Sequence, residues 1–231
     1  MAYWLKYGNY SLTKNGAAVG EADHPVDPYN PLGLPPYTIR AKFSSGYTPT
    51  MGDSRTLVDA GENVWDITKA STNWTGLFSS IPELLEILGA NSTNVTDLTL
   101  FCSRCGYLES VGIFDTSNVT SFRMTFYYCE RLRLVPEFPT QSVINMSSAF
   151  HDCYALRQIP ALSTVNVTDM ADAFYFCTSV ESGALALYTQ ASSQTTPPAS
   201  HIDCFKFCGR DTVTGAQELA QIPTSWGGTM A

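Results

Sequence analysis

Cys102-Ser-Arg-Cys105 is the first group in this chain whose residue types and spacing suggest chemistry. A C-x-x-C pair holds zinc or cycles between dithiol and disulfide. Zinc needs a second pair or a partnering His, and none follows at a suitable spacing. The chain has 7 cysteines, so at least one lacks an intrachain partner, and thiols are expected. Cys204 and Cys208 would bridge only if the local backbone brought them together. The histidines His24, His151 and His201 have no partnering nucleophile at a recognisable spacing, and no Gly-x-Ser-x-Gly elbow occurs. A hydrolase would have to draw on His151 and a distant acid, because triad partners are scattered along a chain. Asp169 and Asp172 are more simply a solvated face than an acid pair. Asn-x-Ser/Thr triplets begin at Asn91, Asn94, Asn118 and Asn166. They match glycosylation acceptors, yet their regular placement favours turn and cap duty. The reading is therefore non-enzymatic, with no cofactor and no metal.

A period of 24 residues explains most of these groups. Val95, Val119, Val143 and Val167 are spaced 24 apart, as are Leu98, Phe122, Met146 and Met170, and Cys105, Cys129, Cys153 and Cys177. Cys102 stands in a column with Phe126, Phe150 and Phe174, so its spacing to Cys105 is inherited from Phe-x-x-Cys. Leu108, Leu132, Leu156 and Val180 form another column. Repeats of this length stack and bury their apolar faces against one another. Stacking puts the repeat cysteines in one buried column, where a thiol packs as a small hydrophobe.

The elements that must position these columns follow from local pattern. Residues 1–36 carry the turn signal Asn15-Gly16 and then Pro25, Pro28, Pro31, Pro35 and Pro36, which forbid a helix and suggest an arm or linker. Residues 37–76 form a β-rich cap: Tyr37, Ile39, Ala41 and Phe43 alternate with polar residues, and Leu57-Val58 and Val64–Ile67 suggest further strands. Residues 77–180 hold the repeats. Residues 181–231 are a degenerate terminal repeat and cap, with a helix over Ala184–Ala191 ended by Pro197-Pro198. Within a repeat, Val167, Met170, Phe174 and Cys177 have helical spacing, with Asp169 in the first turn. Leu156–Pro160 is too short for a helix and suggests a strand, paired in parallel with its neighbours roughly 4.8 Å away. The expected fold is a small α/β horseshoe-shaped solenoid, a short helix plus a short parallel strand per repeat, with an N-terminal β cap.

The units Phe114-Asp-Thr-Ser-Asn-Val-Thr120, Asn166-Val-Thr-Asp-Met170 and Phe150-x-x-Cys153-x-x-Leu156-x-x-Ile159-Pro160 resemble the BspA-like leucine-rich repeats of bacterial surface proteins and related phage genes. The resemblance covers residues 77–226. Ser142, Ile81 and Cys102 depart from its usual Asn, Cys and Phe. It implies a leucine-rich-repeat solenoid and adhesion or binding at a cell surface, and it supplies no catalytic residues.

The positions that vary between repeats are the candidate contacts. Between the Phe and Cys columns lie Ser103-Arg104, Tyr127-Tyr128, His151-Asp152, Tyr175-Phe176 and Lys206-Phe207, of which Tyr127, Tyr128, Tyr175 and Phe176 suggest an aromatic contact strip. Between the Leu and Ile columns lie Glu109, Arg133, Arg157 and Gln158, with Arg133 and Arg157 as a basic centre. The alternative is that several of these simply pack between helices. Net charge is -8, which argues against nucleic acid or an anionic membrane as partner. No apolar run is long enough to span a bilayer, and Met1–Gly8 carries no signal pattern; either there is no standard signal or it has been removed. The expected function is recognition of a protein or glycan. The rival is a structural assembly component, such as a phage tail or baseplate protein, attached through residues 1–36.

Overall fold

A computed structural model describes residues 27–230 and two short strands before them, β1 (Thr13–Lys14) and β2 (Ala17–Ala18), which pair antiparallel. The Asn15-Gly16 turn, His24, Pro25 and most of the proposed attachment arm lie outside the described residues. The part of the arm that is described does not hang free. Asn30 brackets Leu34, accepting its N–H and donating to its carbonyl, and Asn91 donates to the same carbonyl from a neighbouring strand. Leu34 is buried.

The alternation at residues 38–43 produces β3 (Thr38–Phe43), with Ile39, Ala41 and Phe43 turned into the core. β4 (Ser54–Asp59) and β5 (Val64–Thr68) are joined by a turn in which Asp59 Oδ1 accepts the N–H groups of Gly61 and Glu62. β6 (Leu84–Asn91) and β7 (Ser110–Val111) complete a five-stranded sheet of order β4-β5-β3-β6-β7. All pairings are antiparallel except β6 with β7, which is parallel. Arg40 and Asp66 stand opposite each other on β3 and β5 and join in a two-pronged ion pair at 2.7 and 2.8 Å. One continuous core runs from Ile39 through the repeat columns to Trp226.

The expected solenoid with a helix in each repeat is not what forms. The molecule is a mostly-sheet domain, and its only described α-helices, α1 (Ala184–Ser192) and α2 (Val213–Leu219), lie after the repeats. Nor is there a strand at Leu156–Pro160; single-residue parallel bridges stand there instead, such as Gln158 with Ser182. The hydrogen bonds give the reason. Along one repeat, the N–H groups of Leu98, Leu100, Cys102 and Arg104 donate to the carbonyls of Ser121, Arg123, Thr125 and Tyr127 in the next. The N–H groups between them close tight turns, Phe101 to Leu98, Ser103 to Leu100 and Cys105 to Cys102. Every donor is satisfied without an i→i−4 ladder. Leu100 and Arg104 adopt left-handed backbone to allow it, with φ of 59° and 62°. Segments such as Ser121-Phe-Arg-Met-Thr-Phe-Tyr-Tyr-Cys129 are rich in Ser, Thr and aromatics, which are poor helix formers. Asp169 therefore caps no helix; its Oδ1 accepts the Ala171 N–H at 3.0 Å in an Asx turn. Asn73, Asp97 and Asn145 serve their repeats the same way.

All seven cysteines are buried free thiols. In the repeat column each thiol has a second use: Cys105, Cys129, Cys153 and Cys177 donate Sγ–H to the carbonyls of Phe78, Cys102, Phe126 and Phe150 at 3.0 to 3.1 Å. Above this column the Phe150 ring lies 5.3 Å from Phe126 and 5.2 Å from Phe174, and Phe205 continues the stack at 5.9 Å.

Trp226 continues the stack against Phe205, and His201 and, from α1, Tyr188 lie against the Trp226 ring in turn. Glu218 of α2 accepts the Gly183 and Leu185 N–H groups at the start of α1. Gly215 lies inside α2, where helix propensity alone makes Gly→Ala stabilising by about 1 kcal/mol. The packing reverses the sign. A Cβ on Gly215 would strike the Val180 carbonyl oxygen and lie 2.6 Å from the backbone of Gly209. Neither obstacle is a flexible side chain, so Gly215→Ala is expected to lose about 2 kcal/mol or more, read as a fall in melting temperature. A rise would show that α2 does not sit on Val180.

Candidate functional site

The turn run that replaces the helix also builds the surface of interest. In each repeat it ends on two variable residues just before the Cys column. The second of them, Arg104, Tyr128, Asp152, Phe176 or Phe207, always has left-handed backbone, with φ between 58° and 62°. Its N–H donates to the carbonyl of the first variable residue one repeat on: Arg104 to Tyr127, Tyr128 to His151, Asp152 to Tyr175 and Phe176 to Lys206, at 2.6 to 3.0 Å. The backbone thus sets side chains of successive repeats side by side.

The result is an unbroken row of rings. Tyr127 lies 4.6 Å from Tyr128 and 5.0 Å from His151. His151 stacks on Tyr175 at 4.7 Å, Tyr175 meets Phe176 at 4.8 Å, and Phe176 meets Phe207 at 4.6 Å. Cations hold its ends. The Arg210 guanidinium lies 5.1 Å from the Phe176 ring and 4.9 Å from Phe207, and Arg104 lies 6.0 Å from Tyr128. The rings are half-buried or exposed, so they touch one another and still face outward.

Asp152 is the exception in this row. It is buried, and its carboxylate organises its surroundings. Hydrogen bonding to Asp152 and the nearby charge push the Tyr128 hydroxyl above its ordinary value. Burial, and then the same carboxylate, push Tyr154 up as well. Nδ1 of His151 lies 2.7 Å from Asp152 Oδ2, off the line of a hydrogen bond. His151 and Asp152 are thus part of the row's packing, and among the described residues no Ser or Cys side chain hydrogen-bonds His151 Nδ1. Burial likewise holds the Cys153 and Cys177 thiols well above their usual range, which keeps them unreactive. Among the described residues no three His, Cys, Asp or Glu side chains converge on a possible metal position.

Next to Tyr128 the surface opens into a shallow groove of about 620 Å³, lined by Arg104, Tyr107, Tyr128, Glu130, Arg131 and Pro82. The Arg131 guanidinium lies over Tyr107, 4.4 Å from the ring centre. Tyr107 and Arg131 are 24 residues apart, in the variable positions that follow the Cys column. Sequence reasoning weighed the two variable pairs on either side of this one and passed over it, although the same period marks it.

Of the residues singled out from sequence, Tyr127, Tyr128, Tyr175 and Phe176 come together in the row. Glu109, Arg133, Arg157 and Gln158 lie elsewhere, on an exposed ladder that runs through the backbone from Glu109 to Arg133 to Arg157 to Glu181. Arg157 is engaged with Glu181 at 2.8 Å, both largely exposed, a pair worth little in stability. With Glu109 at one end and Glu181 at the other, this ladder is mixed in charge.

A family model described as "Mycoplasma protein of unknown function, DUF285" matches residues 72–188, half of the chain. The chain belongs to this family. The DUF285 segment begins beside Asn73, the first of the parallel bridges, and ends within α1. It includes the groove and the row from Arg104 to Phe176, and Lys206, Phe207 and Arg210 lie beyond it. No curated protein and no solved structure matches the chain. Among the described residues no helix is long and apolar enough to cross a membrane.

Proposed function

We propose that this DUF285 protein is a non-enzymatic binding module that engages a protein or glycan at a bacterial or phage surface. The observation that carries the reading is the outward-facing row from Tyr128 through Tyr127, His151, Tyr175 and Phe176 to Phe207. Tyr and Phe bring large contact area at little entropic cost, and such residues dominate the energetics of recognition. Here they sit on turns whose backbone is tied on both sides, so little ordering remains for binding to impose. The resemblance of the repeat units to those of BspA-like surface proteins supports a surface location. The acidic net charge of -8 supports a partner other than nucleic acid.

The test is an array of bacterial, host and extracellular-matrix proteins and glycans, probed with the protein and with Tyr127→Ala/Tyr175→Ala. At least one hit is expected, weakened by about tenfold or more in the double variant, since each lost anchor costs about 1 kcal/mol or more. The circular dichroism spectrum should match the parent. An empty array, or hits indifferent to both tyrosines, would remove the support for this reading.

A further inference from the structure

We propose that the groove beside the row binds an acidic sugar, a pyranose ring bearing a carboxylate. The proposal rests on the reading of the protein as a binding module and names its ligand class. The groove's volume, about 620 Å³, is within the range of small-molecule sites, roughly 300–1,000 Å³. Two tyrosines line it, Tyr107 at 47% exposure and Tyr128 at 36%, so part of each remains accessible to a sugar beside its arginine.

Its charge is the deciding feature. Neither Arg104 nor Arg131 forms an ion pair among the described residues. Both lie over tyrosine rings instead, Arg131 4.4 Å from the Tyr107 centre and Arg104 6.0 Å from that of Tyr128, and both side chains are exposed, so their N–H groups are within reach of a ligand. A guanidinium held this way suits a carboxylate, which it grips with two parallel hydrogen bonds. One carboxylate, Glu130, shares the groove, so the local balance is positive in a molecule whose net charge is -8. Glu130 accepts sugar hydroxyls, and it opposes a doubly charged phosphate more than a singly charged carboxylate. An acidic peptide fits less well. Peptides in extended form are commonly held by main-chain bonds to a free strand edge, and the Arg104 and Tyr128 N–H groups are already given to Tyr127 and His151.

Calorimetry with four probes tests this: a short oligogalacturonate, its methyl ester, free galacturonic acid and an oligoglutamate peptide. The acid sugar, free or polymeric, is expected to bind at least about tenfold more tightly than the ester. Arg131→Gln and Arg104→Gln should each erase most of that preference, with melting temperatures unchanged, because both side chains are exposed. Equal binding of acid and ester, or an unchanged preference in Arg131→Gln, would overturn carboxylate recognition. Preferred binding of oligoglutamate would overturn the sugar class. If these probes fail while array hits still depend on Tyr127 and Tyr175, the binding-module reading survives and this inference alone falls.

Discussion

Raising the pH above about 9 should destabilise this protein steeply, with the loss of stability scaling with the number of buried thiols. Burial pushes the thiols of Cys102, Cys129, Cys153, Cys177, Cys204 and Cys208 above their usual value. In the unfolded chain the same groups ionise near pH 8.5, or about that. The folded value is the higher one, so this contribution is whole below the unfolded value and drains as pH climbs through and past it. Each thiol that keeps its proton only in the fold removes about 1.4 kcal/mol per pH unit in that window. Six groups shifted in the same direction act together against a margin of only about 5–15 kcal/mol in an ordinary domain, so the alkaline loss is large. Melting temperatures measured in reducing buffer from pH 7 to about 10.5 should therefore fall steeply at the alkaline end. Cys153→Ala and Cys177→Ala should each flatten the slope even though they lower stability at neutral pH. A flat alkaline limb would mean the thiols are not buried. A thiol-reactive dye at neutral pH offers a second check: the native protein should react slowly, and at full rate after denaturation.

Phe150→Ala is expected to be the most damaging single substitution in the repeats. The ring is fully buried and sandwiched, 5.3 Å from Phe126 and 5.2 Å from Phe174. Removing it takes contacts from two neighbours at once. The void has little means of closing, because the repeats on either side are held apart by backbone bonds, Phe126 N–H to Ala149 and Phe150 N–H to Ala173, at 2.9 and 2.8 Å. A cavity that cannot collapse puts the cost at about 3–5 kcal/mol, or a drop in melting temperature of roughly 6–20 °C. Phe150→Leu should cost clearly less. A loss below about 1 kcal/mol for the alanine variant would show that the stack is not continuous.

Both expectations draw on columns that are legible in the sequence. The 24-residue spacing of Phe126, Phe150 and Phe174, and of Cys105, Cys129, Cys153 and Cys177, is the spacing at which the structure stacks them. The aromatic row is legible as well, because Tyr127, Tyr128, Tyr175 and Phe176 occupy the variable positions between the Phe and Cys columns. The groove was harder to see. Tyr107 and Arg131 obey the same period, but only the stacking of their side chains turns two separate residues into one surface. Arg133 and Arg157 form a repeat-spaced pair that the backbone sets side by side, on the ladder between Glu109 and Glu181.

The repeat length, the identity of the buried columns and the alternation that makes β3 belong to the sequence alone, since each is a matter of which side chains share a face. Whether Val167 to Cys177 forms a helix does not. Apolar anchors at helical spacing state which residues point inward, and overlapping turns meet that pattern as well as a helix does. The choice depends on where each N–H finds its acceptor. Here every second acceptor is a carbonyl in the next repeat, more than twenty residues away in the chain, as with Met146 N–H to Asp169 and Met170 N–H to Ser200. That partner exists only once the repeats have stacked, so tertiary structure decided the local backbone, and with it the left-handed residues that bring Tyr128, Asp152 and Phe176 side by side.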